Sequence, residues 1–321
     1  MNLLATQPCR PHFPALARAA RVLGLGVPAL LLAASSTAQA GTIGTSLVLQ
    51  NLWTDSPGGT HTATVTSDGT VVSFSGGLDR FFSGNESPVA FTLPPAYRPA
   101  TDVYVHVNLN GARNGSLHIT PDGTVTIIDE SAPATLENAE AFTSLDGASF
   151  ARLGDGAFTS LSLLNGWTDA PLGTGSAQVR KVGGVVQFKG AIAGGSNTSP
   201  AFFLDPGLRP GADTYMSVGV SGGGNGRLQI RAADGAVFVD AEPFARAQAF
   251  TSLDGASFVL ATMDIPLALK NGWTGGADST RIPAVENVSN DGIVRFEGAM
   301  ATNGNKAVAF KLPKALRPTA D

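Results

Sequence analysis

Three stretches of this chain are written two or three times in the same order, and that repetition limits the fold more than any other feature. LQNLWTD around Trp53 returns as LLNGWTD around Trp167 and LKNGWTG around Trp273. AFTLPPAYRP at 90–99 returns as AFFLDPGLRP at 201–210 and AFKLPKALRP at 309–318. The decapeptide AFTSLDGASF stands at 141–150 and again, letter for letter, at 249–258. The tryptophans lie 114 and then 106 residues apart and the Ala-Phe pairs 111 and then 108, so insertions fall between fixed landmarks. A period near 110 residues is too long for a solenoid repeat and matches the size of an independent domain. The reading is tandem domains at 41–156 and 157–264, with the N-terminal half of a third at 265–321. Asp321 is the counterpart of Asp102 and Asp213, so the third copy stops there; either the reading frame is truncated or another chain completes the unit.

Within a unit the pattern is that of strands. VYVHVNL at 103–109 sets Val103, Val105, Val107 and Leu109 on one face and Tyr104, His106 and Asn108 on the other, the period of a half-buried strand. SLHITPDGTVTII at 116–128 is two strands joined by Asp122-Gly123, and further turns are expected at Asp68-Gly69, Gly183-Gly184, Asp234-Gly235 and Asp291-Gly292. No amphipathic helix is read after residue 41. Seven or eight short strands in about 110 residues point to an all-β fold, a β-sandwich or jelly roll in tandem. The decapeptide then reads as a last strand, a tight Asp-Gly turn and a return into the core that closes each domain.

Residues 1–40 read as a secretory signal peptide: Arg10, Arg18 and Arg21, a short apolar run at 22–34, and AQA before Gly41. That run is too short to span a bilayer, and no later stretch reaches the length of a transmembrane helix. The only cysteine, Cys9, lies in the leader. Removing the leader leaves 18 Lys+Arg against 25 Asp+Glu, a net charge of −7. Nucleic acid, which needs a concentrated basic face, is a poor partner for such a chain. The expectation is a secreted or surface-displayed bacterial protein.

In sequence order NGWT, GGVVQFKGAI (183–192), AFFLDPGLRP, GRLQI (226–230) and FTSLDGASF resemble a module at the C-terminal ends of phage tail fibres and related bacterial proteins. The resemblance covers nearly all of the chain after the leader, copy by copy. It implies β-rich heads, often trimeric, that contact surface glycans, hence a role in adhesion or recognition of a host or bacterial surface. Homo-oligomers are compatible with it.

Few residues suggest chemistry. Trp53, Trp167 and Trp273, each after a pair of leucines two apart, read as core anchors rather than sugar-stacking platforms. Phe91, Phe202 and Phe310 are the matching anchors in the second landmark. Arg98, Arg209 and Arg317 precede proline in every unit; an arginine there forks onto an acidic ligand, bridges backbone carbonyls at the bend, or pairs with the Asp four residues on. Arg98 and Arg209 are therefore carried as ligand candidates, with Phe81 and Phe82 in the loop GLDRFFSGNESP at 77–88, which differs between units. His106 and His118 are expected to face each other if the hairpin centres near Ala112, half of a metal site with no third ligand. No HExxH, G-x-S-x-G, phosphate loop or catalytic Cys occurs, and no dense acidic loop for calcium. The expectation is a non-catalytic binding protein without cofactor or metal. Its alternatives are a self-assembling structural spacer and a polysaccharide-active enzyme using distant carboxylates.

Overall fold

Alternating apolar residues separated by Asp-Gly turns give antiparallel strands throughout. The computed structural model describes residues 44–81, 87–130, 136–152, 157–260, 265–286, 294–304 and 306–318. Val103–Leu109, Arg113–Ile119 and Thr124–Asp129 form a meander whose inward residues Val103, Val105, Val107, Leu109, Leu117, Ile119, Val125 and Ile127 are all buried. The turns are local. Asp122 Oδ1 accepts the Thr124 N–H at 3.0 Å, and Asp68 Oδ1 accepts those of Thr70 and Val71 at 2.7 Å each. The turn read at Asp291-Gly292 lies outside the described residues.

The sheet of the first unit runs Trp53–Asp55, Gly77–Arg80, Thr143–Ser144, Val103–Leu109, Arg113–Ile119, Thr124–Asp129, Val89–Thr92. Leu49 bridges back to Phe91, so this sheet nearly closes on itself as a barrel. A second sheet, Thr45–Ser46, Thr64–Ser67, Val71–Ser75 and Ser149–Ala151, contributes Phe74, whose ring lies 6.2 Å from Phe91 and 6.1 Å from Phe150. The second unit repeats the order. Trp167–Asp169, Ala191–Gly194 and Thr251–Ser252 connect through a Val220 to Thr251 bridge to Thr214–Gly219, Asn225–Ile230, Ala236–Ala241 and Phe202–Phe203. Its smaller sheet holds Thr159–Ser160, Gln178–Val182, Val185–Lys189 and Ser257–Val259. In the third unit Ile265–Pro266, Ala284–Glu286 and Arg295–Glu297 form one sheet, and Trp273–Gly275 pairs with Met300–Thr302. The protein is all-β. Two buried apolar clusters, one within 47–150 and one within 167–258, form its cores inside the compact body Ala40–Asp321.

The decapeptide does more than end a unit. Its first strand joins the barrel-like sheet and its second joins the other sheet, so the Asp-Gly turn between them staples the two layers. Phe150 and Phe258 then complete the aromatic cluster, each worth about 3 kcal/mol on full burial. The other landmarks are equally structural. Asn51, Asn165 and Asn271 take positive φ of 52°, 51° and 55°, where Asn is tolerated better than most residues, and their side-chain amides donate to Val89, Pro200 and Val308 carbonyls.

Two features differ from the sequence reading. One-turn helices, Glu137–Ala141 and Phe244–Ala249, precede the decapeptides; a helix of one turn is too short to show periodicity. They anchor the decapeptide threonines, since Thr143 and Thr251 Oγ1 donate to the Ala139 and Ala247 carbonyls at 2.9 and 3.0 Å. The long hairpin pivots on Gly111, not Ala112, because Asn110–Ala112 makes a 3-10 turn with Gly111 and Ala112 left-handed. Tyr104 therefore faces His118, and His106 faces Ser116.

Candidate assembly interface

In the Val103–Leu109 strand the alternation that buries the valines turns Tyr104 and His106 outward, away from their own core. Tyr104 meets the second unit instead. The contact starts at Asp102, whose backbone makes a parallel bridge to Thr174, and the next unit repeats it as Asp213 to Thr280. Both threonines cap a short 3-10 turn that begins four residues after the tryptophan. Their Oγ1 atoms donate to the Pro171 and Ala277 carbonyls at 2.6 and 2.5 Å. Thr60 makes the same local bond to Pro57 at 2.9 Å.

From Asp102 a line of contacts runs across the joint. Asp102 Oδ2 lies 2.9 Å from His118 Nε2, and the His118 ring stacks on Tyr104 with centroids 4.3 Å apart and planes at 4°. Tyr104 meets the edge of Phe250 at 4.8 Å, and its carbonyl accepts the Ser252 hydroxyl at 2.6 Å. Burial, with a smaller push from the Asp102 charge, raises the Tyr104 phenol above its usual value. Burial also holds His106 below the ordinary histidine range, which favours a neutral ring.

Asp254, in the turn of the second decapeptide, is sealed under this strand. Its Oδ1 accepts the Gly190 N–H at 2.9 Å, yet burial pushes the carboxyl up to about 7. Hydrogen bonding from the Gly190 and Tyr104 backbone, the Lys189 charge and the Ser252 hydroxyl pull the other way and only partly offset it. Beside it, Gly255 has φ +82° and a Cβ there would stand 2.7 Å from the Ser149 carbonyl of the first unit. Any larger residue would open the joint or strain the turn. Arg180 Nη2 donates to the Thr70 carbonyl at 3.2 Å, and Arg281 Nη2 to Leu260 at 3.0 Å, so each unit also holds its predecessor by an arginine.

Where the three units approach one another, a cavity of about 580 Å³ opens. Gly147 and Ser149 of the first unit line it, with Tyr215 and Gly255 of the second and Arg295 and Phe296 of the third.

Of the residues singled out from sequence, Trp53 and Trp167 are buried and Trp273 is half-buried. Trp53 and Trp273 Nε1 donate to the Ser87 and Lys306 carbonyls. Phe91 and Phe202 are fully buried, and Phe310 is half-buried against Phe296 at 6.0 Å. Arg98, Arg209 and Arg317 each donate Nε to the carbonyl five residues back, on Leu93, Leu204 and Leu312, at 2.9, 3.0 and 2.9 Å. Arg98 and Arg209 lie against Gly123 and Gly235 of the Asp-Gly hairpins. Bridging a backbone carbonyl at the bend is thus the arrangement in all three units, and the Asp102 carboxylate pairs with His118 instead. Phe81 is 83% exposed, while Phe82 lies outside the described residues. Among the described residues no group of His, Cys, Asp or Glu is placed to hold a metal, and no helix is long and apolar enough to cross a membrane. The leader at 1–40 also lies outside the described residues.

Sequence reasoning passed over Thr60, Thr174 and Thr280, although each stands seven residues after its tryptophan, and gave outward-facing Tyr104 and its counterpart Tyr215 no role. Fixed spacing of a polar residue with no core role was the available signal. No family model, no curated protein and no solved structure matches the chain. The fibre-head resemblance rests on the motifs quoted for it.

Proposed function

We propose that this chain is a non-catalytic structural array in which successive β units lock through one repeated joint. The observation that carries this is the same backbone bridge made twice between neighbouring units, Asp102 to Thr174 and Asp213 to Thr280. A fortuitous contact has no reason to recur at equivalent residues. A decisive experiment is the double variant Asp102→Lys, Tyr104→Ala, whose side chains leave both cores untouched. Calorimetry should resolve its melting into two transitions where the parent melts as one. A single unshifted transition would end the proposal, because the joint would then contribute nothing to cooperativity.

A second reading, recognition of a glycan or cell surface, is favoured by Phe81, a large aromatic 83% exposed on a loop that differs between units. The fibre-head resemblance supports the same reading. Here the full chain binds a glycan array or bacterial cells and Phe81→Ala loses that binding; failure of the parent to bind either would remove it. Both readings place the protein outside the cytoplasm, with residues 1–40 as the export signal. N-terminal sequencing of the exported protein should begin at Gly41.

A further inference from the structure

In the first two units a phenylalanine of the smaller sheet is covered by the closing strand. Phe74 is 4% exposed against Phe150, and Phe188 is 1% exposed with Phe258 at 6.2 Å. Phe296, the same position in the third unit, is 56% exposed. Arg295–Glu297 pairs with Ala284–Glu286 on one side only, and its other edge has no strand partner among the described residues. An edge with an exposed aromatic is a template for another strand.

Two more surfaces point the same way. Among the described residues, the joint that covers Tyr104 with Phe250, Ser252 and Asp254 has no equivalent at Tyr215, which lines the cavity half-buried. The first decapeptide, whose copy at 249–258 lies under a neighbouring strand, shows its Asp146-Gly147 turn to solvent and lends Gly147 and Ser149 to the cavity wall. All three surfaces converge on that one space.

We infer that the open edge of the third unit accepts an extended segment of the closing type, with the chemistry of residues 249–260, and that this segment seats against Tyr215 as it pairs. Both copies in the chain, at 141–150 and 249–258, are engaged within their own units, so the occupant is a strand of that chemistry from a separate polypeptide. The register follows from the second unit, where Val186 faces Phe258 and Gln187 faces Ser257. The incoming Phe therefore stands opposite Val294, the incoming Ser opposite Arg295, and the Phe296 N–H takes the carbonyl that Ala256 offers Phe188 at 2.9 Å. The incoming Asp accepts from the Gly298 N–H, as Asp146 and Asp254 do from Gly76 and Gly190, and the Ser before it donates to the Tyr215 carbonyl. This deepens the array proposal and rests on its joint.

The test is to titrate a fluorescent synthetic peptide of residues 249–260 into the full chain. Saturable one-to-one binding is expected, with amide exchange slowed at Arg295–Glu297. A peptide carrying Phe258→Asp should bind about tenfold or more weakly, the equivalent of 1.4 kcal/mol. No saturable binding, equal binding of the Phe258→Asp peptide, or protection elsewhere would overturn the inference. So would self-association of the chain through this edge that the peptide fails to compete with, since a second copy would then be the occupant. If the Asp102→Lys, Tyr104→Ala variant splits the melt but the peptide does not bind, the array stands and only the third-edge assignment falls.

Discussion

The two copies of AFTSLDGASF have the same letters, the same strand-turn-strand backbone and the same Asp to glycine N–H bond, yet different surroundings. In the first, Phe142 and Ser144 are half-buried and Asp146 and Gly147 exposed; in the second, Phe250, Ser252 and Asp254 are buried and Gly255 is half-buried. The cause is one strand: Val103–Leu109 of the first unit lies over the second decapeptide. Residues that face a unit's own core do the same work in both copies. Residues that face away from it are inert in one copy and become a joint in the other. A repeated motif therefore carries two roles, and neighbours decide whether the second is used.

The largest effect should be the one the copies share. Phe150→Ala and Phe258→Ala should each cost about 3–5 kcal/mol in urea unfolding, because each ring closes an aromatic cluster. Markedly unequal losses would break the claim of a common core role. Next comes the carboxyl pair. Holding Asp254 at about 7 instead of 3.8 costs its ionised folded form roughly 4 kcal/mol as an upper bound. The folded pKa lies above the unfolded one, so the folded state binds the extra proton between them. Stability from this group is complete below 3.8 and is lost as pH rises through 7. Asp254→Asn should therefore stabilise the chain at pH 8 by about 2–4 kcal/mol and leave it nearly unchanged at pH 4, whereas Asp146→Asn should stay within about 0.5 kcal/mol at pH 8. Equal responses of the two variants across a pH series of thermal melts would contradict the difference in burial. The smallest contrast is Ser252→Ala against Ser144→Ala: about 1 kcal/mol for the hydroxyl bonded across the joint and less than about 0.5 kcal/mol for its copy. Chemical denaturation of both variants would sharpen how much of the joint is hydrogen bonding.

Much of this was legible in the letters. The alternation at 103–109 places four apolar residues inward, and all are buried; the Asp-Gly turns at 68–69, 122–123 and 234–235 form where written. Trp53, Trp167, Phe91 and Phe202 of the landmarks are buried in the two apolar clusters, whereas Trp273 and Phe310 are half-buried and belong to neither. What escaped was short or non-local. The one-turn helices hold too few residues for a period, and the hairpin pivot moved by one residue because Ala112 adopts a left-handed conformation that its identity does not announce. The joint was invisible because Tyr104 and Ser252 lie 148 residues apart and each looks like an ordinary outward-facing strand residue.

By itself the sequence determined the all-β class, the repeating landmarks and the inward face of each strand, since these depend on periodicity and on turn residues acting over a few positions. Only the tertiary structure decided which outward faces are covered, that Asp254 loses its water while Asp146 keeps it, and that three surfaces meet at one cavity. Burial of an outward face is set by a neighbouring unit, and no local pattern encodes where that neighbour will lie.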